Sequence, residues 1–287
     1  MIRIEEPQFT AILYESFTEA GSQQLNSEHN KKMRDCSMSA EDIDHPMSRW
    51  LGADTKALFD ERLAHGWGDG ADRMREMSTK HIQPTNVRRR RVRSDQGDEL
   101  DIHAVNRGDL YRAWTRTRRQ TRTAIRSVSI VCNLSCSYKQ KADDLFWRGA
   151  AALKLAEELT QAGYNVALFG ATGTRSADGK QLGIGQFIEI KAEDMPLDVS
   201  ALAAIVAMPG FKRTRLHAGT TEECDRRNRN VCHSLGYPST ENVIKAAKML
   251  PIPQTAFIQP ELNSKQEAQD WIDDILFRME HPEEFTS

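Results

Sequence analysis

Short apolar runs alternate with helical patterns along the second half of the chain. The runs are rich in β-branched residues, as buried strands are, and they lie at 127–132, 165–169, 187–191 and 255–259. Other segments repeat apolar residues every three or four positions and predict helices over 142–162, 197–207, 240–250 and after Ser264. Strands joined by such a helix are parallel. The pattern predicts a three-layer α/β domain over 127–287, with a mostly parallel sheet flanked by helices.

Two details of this domain make specific predictions. The turn sequence Asp178-Gly179 favours a hairpin, so the strand at 187–191 is expected to be antiparallel and to lie at the edge of the sheet. Gly149 lowers the helix propensity of the segment around it. We expect this glycine to mark close packing of the helix against the sheet.

The first 86 residues show a weaker pattern and are predicted to form a helical, partly irregular N-terminal region. A first helix is expected over 9–20. A second apolar stripe runs from Trp50 to Trp67 at helical spacing. The sequence Gly-Trp-Gly-Asp-Gly around Trp67 is expected to end that helix with a tight turn, and Trp67 itself to be a packing anchor.

An arginine-rich segment, 87–126, joins these two parts. At 100° per residue, the apolar residues and threonines between Leu110 and Ile125 fall on one arc of a helix, and most arginines fall on the opposite arc. Asp109 is expected to cap this amphipathic helix. The predicted cationic ridge consists of Arg112, Arg116, Arg119, Arg122 and Arg126.

Charge is distributed very unevenly along the chain. The net charge is −2, but 87–126 holds twelve arginines against five acids, which gives +7 there and leaves −9 for the rest. Five further arginines precede the ridge: Arg88, Arg89, Arg90, Arg91 and Arg93. This asymmetry indicates either a polyanionic partner or pairing with the chain's own acids, and both remain open.

The composition is typical of a soluble protein of the cytoplasm. With 39% hydrophobic residues the chain can bury a core, whereas 28% charged residues and a mean hydropathy of −0.60 place part of it in solvated elements. No apolar run approaches the roughly 18 residues of a membrane span, and the N-terminus lacks a secretory apolar region. Five cysteines in 287 residues fit reduced thiols. We expect no membrane partner.

A motif after the first predicted strand carries a family resemblance. The strand 127–132 leads into Asn133-Leu-Ser135-Cys-Ser137, then a long helix with small residues, and then a short apolar strand after a Gly-Tyr turn. This order resembles the opening of a von Willebrand factor A-like domain, whose strand ends in Asp-x-Ser-x-Ser. The resemblance covers 127–170, and it implies that family's α/β fold and its metal-ion-dependent adhesion site.

The metal site implied by the resemblance is degenerate. The family's Asp is replaced by Asn133, whose amide oxygen keeps the geometry but loses the negative charge that Mg²⁺ prefers. The candidate ligands are Asn133, Ser135 and Ser137, with Thr172 and Thr174 as further candidates by position. We expect an unoccupied site, or weak Mg²⁺ binding at most, and no other cofactor. Alternatively, these residues cap the following helix.

A second resemblance covers about 50–170. It rests on Trp50-Leu-Gly, Gly66-Trp67-Gly68, the basic run Arg88–Arg91, and the segment from Gly97 to His103 that leads to Gly108-Asp109-Leu110 and Trp114. These features are similar to a family of phage-encoded proteins with a von Willebrand A-like C-terminal half. The resemblance implies a phage origin rather than a particular activity.

Catalytic and nucleotide-binding motifs do not fit. Gly173–Lys180 has one residue too many for a phosphate loop, and Gln181 replaces the required Ser or Thr. Neither serine of the Asn133 motif has the Gly-x-Ser-x-Gly context of a hydrolase nucleophile. The potential zinc ligands lack paired short spacings: His217, Cys224, Cys232 and His233. We therefore expect no enzymatic activity.

These observations give one function hypothesis and one alternative. The first is a non-enzymatic phage adaptor that binds nucleic acid, preferably single-stranded DNA, through its arginines, because guanidinium groups match phosphate oxygens and Tyr111 or Trp114 could stack on bases. Its α/β domain would dock a phage transcription or replication protein, or a host protein. The alternative is a protein-only von Willebrand A-like adaptor, such as the partner of a MoxR-type ATPase.

Overall fold

The computed structural model describes residues 1–40, 45–77, 89–94, 99–109, 113–119, 127–175, 182–231 and 237–281. For 89–94, 99 and 115–119 it describes the backbone alone. No helix in these ranges is long and apolar enough to cross a membrane.

The strands form two sheets. They are β1 (Ile2–Glu6), β2 (Phe9–Tyr14), β3 (Arg89–Ser94), β4 (Glu99–Leu100), β5 (Trp114–Arg119), β6 (Ser127–Asn133), β7 (Asn165–Arg175), β8 (Gly183–Lys191), β9 (Tyr237–Pro238) and β10 (Phe257–Ile258). The main sheet has seven strands in the order β1-β2-β8-β7-β6-β10, with β9 paired to β7. The pairs β6–β7, β6–β10 and β2–β8 are parallel, and the pairs β1–β2, β7–β8 and β7–β9 are antiparallel. A small sheet has the order β3-β5-β4.

Helices cover both faces of the main sheet. They are α1 (Glu28–Ser39), α2 (Met47–Trp50), α3 (Lys56–His65), α4 (Gly68–Met74), α5 (Ile102–Asn106), α6 (Ala142–Gln161), α7 (Val199–Ala207), α8 (Pro209–Phe211), α9 (His217–Arg226), α10 (Thr240–Met249) and α11 (Lys265–Glu280). Because strand residues alternate between faces, Ile130 and Cys132 join a large core with α6, α7 and α11, whereas Val131 joins a smaller core with α10. The predicted α/β class with flanking helices is confirmed.

The unit β6–α6–β7 was predicted correctly. Val128, Ile130 and Val131 supply the β-branched residues of a strand that is buried over most of its length. Helix α6 begins with Asp144 accepting a hydrogen bond from the backbone N of Lys141 (3.2 Å). It ends before Gly163, whose φ of +91° suits only glycine readily. The strands on either side are parallel and in register from Ser127 opposite Asn165.

Gly149 marks a close approach, as expected, but its partner is a helix rather than the sheet. A Cβ atom at this position would lie 2.3 Å from the carbonyl oxygen of Val206, which no real contact allows. The absence of a side chain therefore lets the end of α7 cross directly over α6. The expectation that this glycine packs against the sheet was wrong.

The N-terminal segment corrects two predictions. The helix expected over 9–20 is wrong, because Phe9–Tyr14 forms β2 and Ile2–Glu6 forms β1. Both faces of β2 are buried, so its apolar run is continuous and does not alternate. Strand β2 pairs in parallel with β8, which is therefore not at the edge, although the predicted antiparallel direction of β8 is confirmed by its pairing with β7. The turn predicted at Asp178-Gly179 lies outside the described residues.

The apolar stripe between Trp50 and Trp67 is helical, as predicted, although two helices, α2 and α3, divide it. Helix α3 ends at Gly66, which has a φ of +88°. The tight turn expected next is wrong, because Gly68 begins α4. Trp67 packs edge-on against Phe146, with ring centroids 5.7 Å apart, and this confirms its role as a packing anchor.

The amphipathic helix predicted from Asp109 to Arg126 is also wrong. Its middle, Trp114–Arg119, is the strand β5. Alternating Thr and Arg residues match the period of two of a strand as well as a short helical arc, and β-branched threonine favours the strand. Asp109 caps no helix in the described ranges; instead Asp101 caps α5, accepting hydrogen bonds from the backbone N of His103 and Ala104.

The later helices agree with the sequence except at one place. Ser264 caps α11, as the pattern predicted, and Ser239 caps α10. Beyond α7, Pro209 does not end the helical structure but begins α8, a position that proline tolerates. A π-helical turn, Lys212–Leu216, then connects α8 to α9. Most of this continuous stretch is buried, including its charged residues.

Candidate nucleic-acid interface and metal site

The small sheet brings arginines from two distant positions together. Strands β3 and β5 contain seven arginines between them, and they pair antiparallel. The register sets Arg89 opposite Arg119 and Arg90 opposite Arg118. Residues opposite each other in an antiparallel pair belong to the same face, about 5 Å apart at their Cα atoms. The sequence predicted a charged ridge on a helix, and the structure places a charged two-stranded ribbon there.

The predicted binding residues divide into two groups. Six of them lie on the ribbon: Arg89, Arg90, Arg91, Arg93, Arg116 and Arg119. Four lie outside the described residues: Arg88, Arg112, Arg122 and Arg126. Arg118 was missed, because helical geometry placed it off the predicted ridge, whereas the register places it opposite Arg90. An alternation of Thr and Arg was the signal that could have identified it.

The register of the ribbon sets residues of like charge against each other. Like charges directly opposite each other destabilise a sheet, and at this separation they lie well inside the Debye length of about 8 Å. Two acidic residues lie close to the ribbon. Asp101 caps α5, and Glu99 of β4 pairs through its backbone with Thr115 of β5. The ribbon therefore concentrates positive charge on a short length of backbone.

The second candidate site lies at the carboxyl end of β6, where α/β sheets commonly bind ligands. Asn133 uses both atoms of its amide: Oδ1 accepts a hydrogen bond from the backbone N of Ser135 (3.1 Å), and Nδ2 donates to Oγ1 of Thr240 (3.1 Å). The hydroxyl of Ser135 accepts from the backbone N of Gly173 (2.8 Å). The motif thus connects β6 to β7 and α10.

The alternative interpretation of these residues, as caps of α6, is wrong. The residue before α6 is Lys141, and the capping side chain is that of Asp144. The backbone N of Ser137 donates a hydrogen bond to Oε1 of Gln140 (2.9 Å), within the loop. The loop Asn133–Gln140 is therefore a separate structure between β6 and α6.

Three buried cations hold the carbonyl groups of this loop. Arg148 donates to the carbonyl oxygens of Asn133 (3.2 Å), Ser135 and Leu262 (3.0 Å). Lys212 donates through Nζ to the carbonyl oxygen of Cys136 (3.1 Å). Burial lowers the pKa of both Arg148 and Lys212.

Arg213 is the third cation and is fully buried. It donates to the carbonyl oxygens of Ser137 (3.0 Å) and Gln140 (2.9 Å), and through its other terminal nitrogen to that of Arg49 (2.8 Å). Its guanidinium also lies 4.9 Å from the centre of the Trp50 ring. The loop is thus held by positive charge from inside the protein.

These residues do not fit a divalent cation. Mg²⁺ is usually held by at least one or two carboxylates together with waters, and in the described ranges no three acidic, His or Cys side chains form a metal cluster. The amide oxygen of Asn133 already accepts a hydrogen bond from the backbone N of Ser135. The guanidinium of Arg148 donates to the backbone carbonyl oxygen of Asn133. Thr172 has a buried hydroxyl without a hydrogen-bond partner, but a neutral hydroxyl does not supply the missing charge.

The comparison with family models covers nearly the whole chain. A model described as a domain of unknown function, DUF7192, matches residues 4–280. The chain belongs to the DUF7192 family. Comparison with curated proteins and with solved structures finds no match. The match extends from β1 to the last residue of α11, so a DUF7192 chain includes the N-terminal strands as well as the α/β unit that follows them.

The DUF7192 chain also contains a buried acidic cluster that sequence reasoning missed. It consists of Glu222, Glu223 and Asp225 of α9, all buried. Glu223 accepts hydrogen bonds from Thr10 (2.8 Å) and Arg226. Hydrogen-bond donors gathered around such carboxylates are typical of a structural role. Here they tie β2 to α9.

The other two acids hold the segment before α1. Asp225 accepts from the backbone N of Asn26 (2.7 Å) and Ser27 (2.9 Å), and these hydrogen bonds help to lower its pKa although burial alone would raise it. Glu222 accepts from the backbone N of Gln23 (2.7 Å), but burial raises its pKa. The run Glu-Glu-Cys-Asp, which follows the small and hydroxyl residues Ala-Gly-Thr-Thr, was the available signal.

The four zinc-ligand candidates of the sequence are only partly described. His217 and Cys224 are buried in α9, and the other two candidates, Cys232 and His233, lie outside the described residues. Burial and the neighbouring Lys212 lower the pKa of His217 to about 3, so its imidazole is neutral. His217 is therefore a neutral core residue of this DUF7192 chain.

Proposed function

We propose that this protein is a non-enzymatic nucleic-acid-binding protein whose small sheet β3-β5-β4 binds the phosphate backbone. The observation that carries the proposal is the register that sets Arg89 opposite Arg119 and Arg90 opposite Arg118. Such a register destabilises a free sheet, because like charges repel, but it strengthens binding to a polyanion. Phosphates placed along the ribbon would neutralise the charges that otherwise repel one another.

The residue type supports phosphate as the anion. Arginine keeps its charge at all relevant pH values and forms bidentate hydrogen bonds with phosphate oxygens. Six paired residues extend over about 20 Å, which is long enough for several phosphates. Single-stranded DNA is the form we favour, because Trp114 lies in β5 beside the arginines and is half-buried, so part of its ring is open to a base.

We further propose that the body of the protein, from β6 onwards, is a von Willebrand A-like domain that has lost its metal site and docks a protein partner. The parallel β6–α6–β7 unit and the antiparallel β8 support this likeness. The loop after β6 uses Arg148 in place of a metal ion to hold its carbonyl groups. The phage origin, and the phage transcription or replication partner, stay predictions.

The test is a salt-dependent binding measurement. Fluorescence anisotropy would be recorded with labelled single-stranded and double-stranded DNA of equal length at 50 and 200 mM salt. The double variant Arg90→Ala/Arg118→Ala should lose affinity and reduce the log-log salt slope by about 0.7 to 0.9 for each lost phosphate contact. We expect the single-stranded form to bind more tightly.

The control removes the same charge from the body. Arg175→Ala/Arg278→Ala changes two half-exposed arginines outside the small sheet and should leave affinity and slope within error. If the wild-type protein binds neither DNA at 50 mM salt, or if both double variants behave alike, the small sheet is not the binding surface and the proposal is wrong.

A further inference from the structure

Strand β1 forms an open edge of the main sheet. In the described ranges it pairs with β2 alone, and four of its five residues are exposed. Ile2 and Ile4 are 41% and 37% exposed, although isoleucine is among the most buried residue types. Edge strands usually carry charges, prolines or bulges that prevent pairing with another chain. Strand β1 has no proline and no bulge, and its charged residues Arg3, Glu5 and Glu6 protect the edge only against strands that do not match their charges.

The sequence of β1 is complementary to itself. It reads Ile2-Arg3-Ile4-Glu5-Glu6. When two copies are placed antiparallel with Ile4 opposite Ile4, each Arg3 lies opposite a Glu5 of the other copy. Opposite charges and apolar pairs directly across two strands both stabilise a sheet. Ile2 then lies opposite Glu6 of the other copy. The register shifted by two residues sets Ile2 opposite Ile4 but places the two Arg3 residues against each other, and like charges directly opposite destabilise a sheet.

We propose that two copies of this chain associate through β1, about a twofold axis at Ile4, so that their main sheets become continuous. Twofold interfaces use the same patch on both subunits, and a self-complementary strand is such a patch. The association covers the β1 edge of each copy, so it stops at a dimer. It does not depend on the proposed binding of nucleic acid.

Each face of β1 contributes to this interface in its own way. On one face Ile2 and Ile4 continue the side of β2 that carries Leu13 and Ala11, with Glu6 at the end of the same face, so the pairing extends an apolar surface around the axis. On the other face Arg3 lies 3.4 Å from Glu223, and Glu5 lies 2.7 Å from Arg226. A second copy would extend this alternation of charges across the axis, with Arg3 next to the partner's Glu5.

Sedimentation velocity over a range of protein concentrations tests the association. The wild-type mass should rise from 32.5 kDa towards twice that value. Ile4→Lys places two ammonium groups against each other at the axis and should keep the protein monomeric. The matched control, Met195→Lys, changes another exposed apolar residue, 56% exposed and outside β1, and should associate like the wild type. Circular dichroism checks that both variants fold.

Cysteine cross-linking tests the register independently. Under mild oxidation Ile4→Cys should form a disulfide-linked dimer, because residues opposite each other across two strands come within disulfide range. Ile2→Cys should not, because two copies of residue 2 would lie about 13 Å apart along the strands. The wild-type chain gives the background from its own thiols.

Several outcomes would overturn the proposal. A wild-type protein that stays monomeric at every concentration excludes it. So does an association that Ile4→Lys leaves intact, or one in which Ile2→Cys cross-links as readily as Ile4→Cys. Pairing of β1 with a strand of a different protein, rather than with a second copy, would appear as a monomer in sedimentation and would also reject it.

Discussion

The body and the small sheet use cations in opposite ways. In the body, Arg148, Lys212 and Arg213 are buried, and each donates hydrogen bonds to named carbonyl oxygens of the loop after β6. In the small sheet, the register sets arginine opposite arginine. The first arrangement stabilises the fold, whereas like charges set directly opposite each other destabilise a sheet. Position within the fold, rather than residue type, therefore decides what an arginine does.

The strongest test of this comparison removes a cation from the body. Arg148→Met keeps the length of the side chain but leaves the carbonyl groups of Asn133, Ser135 and Leu262 without their donor. Buried acceptors without partners are costly, so the free energy of unfolding should fall by about 3 kcal/mol. Urea unfolding followed by circular dichroism measures this.

The control for this variant is Arg278→Met, which changes a half-exposed arginine on α11 and should cost less than about 0.5 kcal/mol. An equal loss for both variants would mean that the buried contacts of Arg148 contribute nothing beyond those of a surface arginine.

A second test uses pH to separate the two regions. His217 has a pKa of about 3 in the folded protein, and the unfolded chain has the ordinary value near 6.5. The unfolded state therefore binds more protons as pH falls, so this group contributes nothing above pH 6.5 and destabilises the fold below it. From pH 7 to pH 5 the loss should be about 2 kcal/mol.

The variant His217→Gln does not titrate and should show a smaller loss of stability between pH 7 and pH 5 than the wild type. Urea unfolding at both pH values gives the difference. Arginine stays charged throughout this interval, so the proposed DNA binding by the small sheet should not show the same dependence. If the two proteins lose stability in parallel, His217 is not the titrating group.

The smallest effect is expected in the small sheet itself. Removing like charges by Arg90→Ala/Arg118→Ala should leave the stability of β3 and β5 within about 0.5 kcal/mol of the wild type or raise it slightly. Amide hydrogen exchange of these two strands reports their local stability. A loss above about 1 kcal/mol would show that these arginines are already neutralised inside the protein, and the contrast between the two regions would disappear.

Sequence reasoning predicted the elements whose signals are local. The caps Ser239 and Ser264 and the apolar periods of α6, α10 and α11 specify those helices without reference to distant residues. Strand β2 was missed because its partner β8 begins at Gly183, far along the chain, and a six-residue apolar run fits either period. Strand β5 was missed for the same reason, since β3 lies outside any local window.

The candidate site was predicted only in part. The position of Asn133 and Ser135 at the end of β6 followed from the pattern, and so did the lack of charge needed for Mg²⁺. The cations that donate hydrogen bonds to the carbonyl groups of the loop could not be predicted. Lys212 and Arg213 lie 76 residues further along the chain than the loop residues they bind, and they follow Pro209, a residue type that usually ends a helix. Arg148, set among buried small residues of α6, was the one local signal.

The acidic residues of α9 have a consequence for anyone who shortens this protein. A fragment that starts at Ser127 would look complete by its strand and helix pattern, yet it would leave the carboxylate of Asp225 without the amides of Asn26 and Ser27, and that of Glu223 without Thr10. It would also expose the side of β8 that β2 covers. Expression work should therefore retain the opening forty residues with the α/β body.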